Sequence, residues 1–321
     1  MDFGIRGIAP RLSVILMVVL AALIAPSAVS AQDYPSRPVK MIVPVPAGGI
    51  TDVLARILQE PLTRKWGQPI VIDNRPGAGG NLGTEAAFKS DPDGYTVLFS
   101  IPGPFTVNPT LYQKLNFDPS EFVPVALLAT IPTALIAGNK VPARTLPEFI
   151  AYARANPGKV TVATQGPATT SHLTSEWFQQ VADVKFVTVP YRGSAPALQG
   201  MLTGDVDVMF DNLGVSLALV QAGKLKLLAV ASSDRLPALP NVPTMAETLP
   251  GFEAVAWYGI VAPPKTPKNI VDKINADVNE ALRQPQVQDQ FKKLSAEIFG
   301  GPPDKASAYM RGEVDRWAAV I

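Results

Sequence analysis

Short apolar runs alternate with amphipathic stretches along most of the chain. In the first third, runs rich in Val, Ile, Leu and Phe predict buried strands over Val39–Val45, Ile70–Asn74 and Thr96–Ser100. Apolar residues at helical spacing predict a helix that begins near Thr51, which Pro61 is expected to kink or shorten. The repeated order of strand, loop and helix is typical of α/β folds with parallel sheets.

The alternation continues to the end of the chain. Further strands are predicted over Leu127–Ala137, Val160–Ala163, Phe186–Val189, Val206–Phe210, Leu225–Ala231 and Phe252–Val261. Further helices are predicted over Leu146–Ala155, Leu173–Val181, Ala195–Thr203, Lys268–Arg283 and Pro303–Ala318. The 32 prolines and 24 glycines are spread through the loops, and no linker or fixed repeat interrupts the pattern. Two lobes between which the chain crosses more than once fit this organisation better than two domains in tandem.

The first 31 residues differ from the rest. Arg6 and Arg11 precede an uncharged apolar run over 12–24, which is followed by Pro26 and the small residues of 27–31. This order predicts a secretory signal peptide over 1–31 that is cleaved after Ala31. The alternative is a membrane anchor, but the apolar run is shorter than the roughly 20 residues that cross a bilayer. We therefore expect an exported protein.

Charge and composition exclude several classes of partner and chemistry. The chain has 28 basic and 27 acidic residues, and removal of a segment with two Arg and one Asp leaves 26 of each. A formal charge of zero gives no reason to expect nucleic acid as a partner. The absence of cysteine excludes disulfides and thiolate catalysis, and a single histidine, His172, makes zinc sites and proton shuttles difficult to build. We expect neither a metal nor a cofactor.

The loop Pro44–Asp52 joins the first predicted strand to the first predicted helix. Gly48 and Gly49 allow a ligand to approach the backbone, and the first N–H groups of a helix have no partners within it. Such a helix start carries the positive end of the dipole and can bind an anion without Lys or Arg. The alternative is that Thr51 or Asp52 only caps the helix.

Two further segments carry polar groups at strand ends. The loop Thr164–His172 is rich in hydroxyls that could hold carboxylate oxygens, and its alternative is a capped helix with a structural His172. Asp211 follows a predicted strand that ends at Phe210, and ligands bind outside such ends in α/β sheets. This carboxylate is suited to accept a ligand ammonium or hydroxyl, or to orient a loop through backbone N–H groups.

A glycine-rich segment, Asn74–Gly83, is only superficially similar to a dinucleotide-binding loop. Its spacing is G-x-G-x-x-x-G, and Pro76 stands before the first glycine, so a turn that supports packing is favoured. An exported hydrolase built on Ser171 and His172, with Asp211 orienting the imidazole, is the catalytic alternative. The chain lacks a G-x-S-x-G elbow, and neighbours at a helix start project in different directions. We therefore expect no enzyme.

The order of short motifs along the chain resembles the Bug family, the extracytoplasmic solute receptors of tripartite tricarboxylate transporters. The matching segments are Tyr34–Lys40, Pro46–Gly49 with Thr51 and Asp52, Asn74–Gly80, Pro92–Thr96, Ser171–Leu173, Val189–Gly193, Met209–Asn212, Ala222–Leu225 and Leu239–Thr244. They span nearly all of the chain after the predicted signal peptide, and their number and order make the resemblance specific.

The resemblance implies a type II periplasmic-binding-protein fold, in which two α/β lobes are joined by two crossover strands. In this sequence the crossovers correspond to about Val125–Leu135 and Phe252–Val261. Lobe one then comprises 32–130 plus 255–321, and lobe two comprises 131–254. The implied function is a monomeric receptor that captures a small organic acid between the lobes and delivers it to membrane permease subunits of a tripartite tricarboxylate-type transporter. A ligand-presenting sensor subunit is the alternative.

The resemblance also implies that the loops 46–52 and 164–172 hold a ligand carboxylate, largely through backbone N–H groups and water. The residues expected to bind the ligand are Ala47, Gly48, Gly49, Thr51, Asp52, Thr164, Gln165, Gly166, Ser171, His172, Tyr191, Gly193 and Asp211. Many relatives have Phe where this chain has Val45, and the exchange removes an aromatic wall or leaves room for a bulkier ligand. Aliphatic di- and tricarboxylates, aromatic acids and amino acids are all possible ligands.

Overall fold

Ten β-strands and ten α-helices alternate along residues 34–318, the part of the chain that the computed structural model describes. The strands are β1 Val39–Val43, β2 Ile70–Asn74, β3 Thr96–Ser100, β4 Val123–Gly138, β5 Val160–Thr164, β6 Phe186–Pro190, β7 Val208–Asn212, β8 Leu225–Val230, β9 Val255–Ala262 and β10 Glu297–Ile298. The helices are α1 Ile50–Trp66, α2 Asn81–Phe88, α3 Asn108–Leu111, α4 Leu146–Ala155, α5 Thr170–Ala182, α6 Ser194–Thr203, α7 Leu213–Gln221, α8 Lys268–Leu282, α9 Pro285–Lys293 and α10 Pro303–Ala318.

The signal peptide predicted over 1–31, with its cleavage after Ala31, lies outside the described residues and stays a prediction. Within 34–318, no helix combines the length and the apolar character that a bilayer crossing requires.

The strands form two groups with the same local pattern. In the first group, β1 pairs in parallel with β2 and β3, and β3 pairs antiparallel with β9. In the second group, β5 pairs in parallel with β6 and β7. Parallel neighbours need long crossover connections, and the helices α1, α2, α5 and α6 supply them here. The predicted α/β architecture with parallel pairing is therefore confirmed.

The long strand β4 belongs to both groups. Its residues Val123–Pro132 pair with β9, and its residues Thr133–Ala137 pair with β7. Every residue of β4 from Val125 onward is buried, which explains why its sequence is apolar almost throughout, apart from Thr130 and Thr133, instead of alternating. The crossover predicted over Val125–Leu135 lies inside this strand.

A second segment returns beside β4 just before β9. The Thr133 N–H donates to the Ala254 carbonyl oxygen at 2.9 Å, and the Ala254 N–H donates to the Ala231 carbonyl oxygen at 2.9 Å. Ala231 follows β8, which pairs with residues Ala134–Gly138 of β4 and so extends the second group, whereas β9 pairs with β3 of the first group. The chain therefore passes from one group to the other within the range predicted for the second crossover. The lobe boundaries at 130/131 and 254/255 stay predictions.

Each group of strands has a hydrophobic core of its own. In the first core, the rings of Phe105 and Phe122 meet edge to face with their centroids 5.3 Å apart, and Trp257 is fully buried beside them. In the second core, the rings of Phe178 and Phe210 lie 5.0 Å apart. Tight aromatic packing under each group gives the loops at its edge a rigid support.

Helix α1 departs from its prediction because it continues through Pro61 for 17 residues. A proline removes one hydrogen bond from a helix and disfavours it locally. Leu58 and Leu62, on either side of Pro61, are both fully buried. Their packing against the core offsets the lost hydrogen bond, since tertiary packing supplies most of the stability of a protein helix.

Strand β7 also departs from its prediction, since it ends at Asn212 instead of Phe210. Asp211 and Asn212 lie inside the strand and pair with Ala134 and Thr133 of β4. The pairing partner extends the strand beyond the apolar run on which the prediction rested. The helices α2, α3, α7 and α9 and the strand β10 were not predicted; the glycines of 74–83 concealed the start of α2.

Candidate functional site

A cavity of about 560 Å³ lies at the carboxyl ends of the parallel strands of both groups. Its wall comes from the loops after β1, β2, β3, β5 and β6, from the end of β7 and from one face of β9. The lining residues are Pro44, Val45, Pro46, Thr51, Pro76, Gly77, Ala78, Gly79, Gly80, Ile101, Pro102, Gly103, Gln165, Gly166, Pro167, Thr169, Thr170, Tyr191, Arg192, Gly193, Asn212, Ala256 and Tyr258. Crevices outside the carboxyl ends of parallel strands are where α/β proteins bind ligands.

A smaller pocket of about 50 Å³ adjoins this cavity and shares part of its wall. The shared residues are Val45, Pro46, Thr51, Gln165, Thr169, Arg192 and Gly193. The remaining wall consists of the residues that begin two helices, which are Ala47, Gly49 and Ile50 for α1 and Ser194, Ala195 and Pro196 for α6. Two helix N-termini therefore border one small space. We call it the anion pocket, because a helix N-terminus carries partial positive charge and unbonded N–H groups.

Both helices begin at a glycine, and no side chain caps either start. Gly49 precedes α1 and Gly193 precedes α6, and neither start has a side-chain hydrogen bond to its first N–H groups. Gly193 has a φ of 107°, a conformation that other residues rarely adopt, and a Cβ at this position would lie 3.3 Å from Pro46 Cγ. The absence of side chains thus leaves backbone donors available at the anion pocket.

The buried carboxylate of Asp52 fixes the loop before α1 through hydrogen bonds. It accepts them from the Gly48 N–H at 3.0 Å, from Arg56 Nε at 2.9 Å and from Asn74 Nδ2 at 3.0 Å. Burial by itself raises the pKa of Asp52, but the hydrogen bonds from Arg56, Gly48 and Asn74 outweigh burial and hold this pKa below its ordinary value. Neither Gly48 nor Asp52 lines the cavity, so the hydrogen bond between them supports the loop without contacting a ligand there.

Thr169 caps the N-terminus of α5, as in the alternative interpretation of the loop Thr164–His172. The hydroxyl of Thr169 accepts the His172 N–H at 3.3 Å and donates to the Gly166 carbonyl oxygen at 2.7 Å. His172 Nδ1 accepts the Ala168 N–H at 3.4 Å, and Ser171 is buried. Neither Ser171 nor His172 lines the cavity, so this pair contributes to the capped helix instead of facing a ligand.

Asp211 ties two loops of the cavity wall together. It is fully buried, and one of its oxygens, Oδ1, accepts hydrogen bonds from Gln165 Nε2 at 2.7 Å and from the Ser194 hydroxyl at 3.0 Å. Burial raises the pKa of Asp211 to about 6, against the opposing effect of these hydrogen bonds. Asp211 does not line the cavity itself, but it positions Gln165, which does.

The structure brings together only part of the residues predicted to bind a ligand. Those in the wall of the cavity or the anion pocket are Ala47, Gly49, Thr51, Gln165, Gly166, Tyr191 and Gly193. Those outside both walls are Gly48, Asp52, Thr164, Ser171, His172 and Asp211. The outlying residues are mostly buried beneath the loops, where they can support the wall.

Several lining residues were not predicted. Arg192 borders both the cavity and the anion pocket, and no ion pair within residues 34–318 involves it. Sequence reasoning treated the anion site as one without Lys or Arg, although the position of Arg192 directly after a parallel strand was a usable signal. Tyr258 and Asn212 were also missed, because strand pairing alone determines which face of β9 and β7 meets the cavity.

The glycine turn after β2 has two roles. It packs against the loop before α5, since a Cβ on Gly79 would lie 3.2 Å from the Pro167 carbonyl oxygen and 3.3 Å from Ala168 Cβ. The same turn, residues 77–80, also lines the cavity. The turn therefore packs against a neighbouring loop, as the favoured interpretation of the sequence describes. Its position in the cavity wall was not predicted.

Two groups of parallel strands, a long strand common to both and a cavity at their carboxyl ends define a solute-binding protein of the periplasmic type. Residues 54–321 match the model of the family described as tripartite tricarboxylate transporter family receptor (TctC), and the chain belongs to this family. Protein BugT of Bordetella pertussis is 38% identical over 309 residues, which cover 95% of this chain and 94% of BugT. The resemblance to Bug receptors is thus confirmed.

Solved structures agree with this assignment. The Rhodopseudomonas palustris protein Rpa4515, solved with adipate, has a TM-score of 0.87 and 35% identity, covering 90% of this chain and 97% of that one. The periplasmic binding protein BugD has a TM-score of 0.85 and 36% identity, covering 89% of this chain and 97% of BugD. MatC from Rhodopseudomonas palustris, with bound malate, has a TM-score of 0.85 and 35% identity, covering 89% and 99%. The predicted periplasmic-binding-protein fold is confirmed.

Proposed function

We propose that this protein is a periplasmic receptor that captures a small organic carboxylate and delivers it to the membrane permease subunits of a tripartite tricarboxylate-type transporter. The observation that carries the proposal is the anion pocket, where the uncapped N-termini of α1 and α6 border the same space. Two related structures contain adipate and malate, which are both carboxylates. The receptor acts as a monomer in the periplasm. It leaves the bound ligand chemically unchanged.

The energetics of such a pocket favour a carboxylate over a neutral group. Removing a carboxylate from water costs several kcal/mol. One helix N-terminus returns about 0.3–1 kcal/mol, and up to about 2 kcal/mol in a partly buried site. Hydrogen bonds to a charged group add roughly 1.5–3 kcal/mol each. Two helix starts, with Arg192 beside them, can therefore offset the desolvation and leave net binding.

The same geometry supports closure around the ligand. If the lobes comprise 32–130 plus 255–321 and 131–254, helix α1 belongs to one lobe and helix α6 to the other. The close approaches of Gly193 to Pro46 and of Gly79 to Ala168 then join the two lobes beside the cavity. A carboxylate can contact both helix starts only in this closed arrangement, so ligand binding stabilises the closed state.

A catalytic function finds less support. The residues that would serve as nucleophile and base, Ser171 and His172, lie outside the cavity wall, and the His172 ring accepts a backbone N–H. A hydrolase needs its nucleophile and base in reach of one substrate atom. A receptor requires only the donors that already border the anion pocket.

Thermal unfolding with matched pairs of ligands tests the proposal. Adipate, malate and benzoate are each compared with the corresponding methyl ester or amide. An acid at about 100 times its Kd adds about 2.7 kcal/mol of stability, which corresponds to a rise of several °C in Tm. We expect at least one acid to raise Tm while its uncharged partner does not. Equal shifts from an acid and its ester would contradict a carboxylate pocket.

A further inference from the structure

The positive charge around the large cavity is concentrated at the anion pocket. Of the residues within 34–318 that line either space, Arg192 alone has a charged side chain, and it borders both. The uncapped starts of α1 and α6 border the same pocket. Helix α5 also begins at the cavity, and its capping residue Thr169 borders the anion pocket as well. These sources of positive charge converge on the space that one carboxylate occupies.

The rest of the cavity wall is mostly apolar. We call it the apolar wall, and it comprises the residues that line the large cavity but not the anion pocket. Its apolar side chains include those of Pro44, Pro76, Ile101, Pro102, Pro167 and Ala256. Such a wall gains free energy when it covers the apolar surface of a ligand, and it offers no charge to a second carboxylate.

The polar residues of the apolar wall do not replace the missing charge. The Tyr258 hydroxyl and the Asn212 side-chain oxygen are buried beneath the surface of the cavity, out of reach of a ligand. The Tyr191 hydroxyl packs against α6, since a Cβ on Gly200 would collide with it. The side chain of Thr170 is neutral. A carboxylate at the apolar wall would therefore lose its hydration without meeting a cation.

The backbone of the glycine turn at the apolar wall is largely occupied as well. The N–H groups of Gly80 and Leu82 donate to the Gly77 carbonyl oxygen at 3.0 and 3.4 Å. The Asn81 N–H donates to the Ala78 carbonyl oxygen. Two of the first N–H groups of α2 are thus bonded within the turn, so this helix start is a weaker anion site than the uncapped starts of α1 and α6.

The buried carboxylate of Asp211 adds a negative charge beneath the cavity. Its Oδ1 accepts hydrogen bonds from Gln165 and Ser194, which are neutral and leave the charge uncancelled. Asp211 directly precedes Asn212, a residue of the apolar wall. Arg192 and the helix starts offset this charge for a carboxylate in the anion pocket, whereas a second carboxylate would meet it without a cation nearby.

We propose that the ligand has a single carboxylate and an uncharged apolar body, and that the receptor selects against diacids and triacids. The inference rests on the proposed function, because the anion pocket must hold the carboxylate while the body lies against the apolar wall. A cavity of about 560 Å³ is within the range of roughly 300–1,000 Å³ that small-molecule pockets span, so it has room for a body of several carbon atoms.

Isothermal titration calorimetry at pH 7.5 with two matched pairs of acids tests the inference. The pairs are hexanoate with adipate, and 4-methylbenzoate with benzene-1,4-dicarboxylate, so that a carboxylate replaces a methyl group in each. In every pair that binds, we expect the monoacid to bind about 10-fold tighter than the diacid, or more, because the second carboxylate loses hydration without compensation. A diacid that binds as tightly as its monoacid, in either pair, would overturn the inference.

A cation placed on the apolar wall should shift the selectivity towards diacids. Ile101 follows β3 and lines the large cavity but not the anion pocket. In Ile101→Lys, we expect the ratio of diacid affinity to monoacid affinity to rise about 10-fold. Ile101→Gln removes the same apolar side chain without adding charge, and it should shift this ratio by less than about 3-fold. An unchanged ratio in Ile101→Lys would overturn the inference, because charge would then not set the selectivity.

Val187→Lys is the control for the added charge. Val187 is an exposed residue of β6 that lies outside the walls of both spaces, so this variant should retain the wild-type ratio. The wild-type pairs decide the inference even if Ile101→Lys folds poorly. A preference for diacids leaves the proposed function intact, because the protein still binds carboxylates. If none of the four acids binds, the inference is overturned, and the thermal shifts with malate and benzoate decide the proposed function separately.

Discussion

The side-chain Nε2–H of Gln165 donates a hydrogen bond to Oδ1 of Asp211 at 2.7 Å, and this bond joins a lining residue of the cavity to a fully buried carboxylate. The Ser194 hydroxyl donates to the same oxygen at 3.0 Å. One buried acid therefore holds the loop before α5 and the start of α6 in a fixed relation. The consequence is that the shape of the ligand site depends on a residue that does not line it.

Replacing Asp211 by Asn should change the pH dependence of stability. The pKa of Asp211 is raised to about 6 from an ordinary 3.8, so its ionised form is disfavoured in the folded protein. As pH rises from about 4 to about 6, the free energy of unfolding of the wild-type protein should fall by roughly 3 kcal/mol relative to that of Asp211→Asn. Urea unfolding at pH 4, 5, 6 and 7 measures this. Asp289→Asn, an exposed acid of α9, should run parallel to wild type; a parallel profile for Asp211→Asn would contradict the prediction.

Asp52 should show the opposite sign. Its pKa lies below the ordinary value, because the hydrogen bonds from Arg56, Gly48 and Asn74 outweigh burial. A lowered pKa contributes stability that is present above about pH 4 and is lost as pH falls further. Asp52→Asn should therefore cost on the order of 2 kcal/mol at pH 7 and progressively less below pH 4. Urea unfolding of wild type and Asp52→Asn at pH 7, 4, 3 and 2 tests this.

The control for Asp52 is Asp272→Asn, which removes an exposed partner of Lys268 on α8. An exposed pair of this kind contributes at most about 0.5 kcal/mol. If both variants lost the same small amount at pH 7, Asp52 would have no special role in holding the loop before α1.

Gly193→Ala should abolish tight binding. A residue with φ of 107° and ψ of −179° is in a region that only glycine tolerates, and the new Cβ would press on Pro46 at 3.3 Å. We expect a loss of about 1–3 kcal/mol of stability and at least a 10-fold weaker affinity for any acid that binds wild type. Calorimetry and urea unfolding measure the two effects separately.

Gly223→Ala is the matched control for Gly193→Ala. Gly223 also has a positive φ, 67°, but a Cβ there would meet no atom within 4 Å, and it lies outside the cavity wall. This variant should lose stability while its affinity is retained. Equal losses of affinity in both variants would indicate general destabilisation instead of damage to the anion pocket.

Arg192→Gln should lower the affinity for carboxylates and make that affinity less dependent on salt concentration. An exposed Arg beside the pocket contributes an attraction that counterions screen. We expect about a 5- to 10-fold loss of affinity at low ionic strength and a smaller loss at 0.5 M salt. Arg283→Gln, at the end of α8 and away from both walls, is the control. An affinity for acids that does not change in Arg192→Gln would exclude a direct role for the guanidinium.

The sequence by itself determined the local structure and the kind of protein. Helix α4 and helix α10 have the predicted bounds, and β2 and β3 do as well, because apolar periodicity directly reflects which face of an element is buried. The motif order identified the family, and the loops after β1, β5 and β6 were correctly expected to meet at one place. Parallel strands of one group leave their carboxyl ends at a common edge, so element order places the loops after β5 and β6 side by side. The expectation that the loop after β1, in the other group, meets them came from the resemblance to the family.

Only the tertiary structure decided which polar groups face the cavity. Asp52 and Asp211 carry suitable chemistry, but hydrogen bonds to other parts of the chain turn them into supports; Asn74 and Asp52 are 22 residues apart, and Gln165 and Asp211 are 46 residues apart. Arg192, Asn212 and Tyr258 line the cavity instead. Whether a polar atom is free for a ligand depends on partners brought together by strand register and packing, and local sequence does not specify those distances.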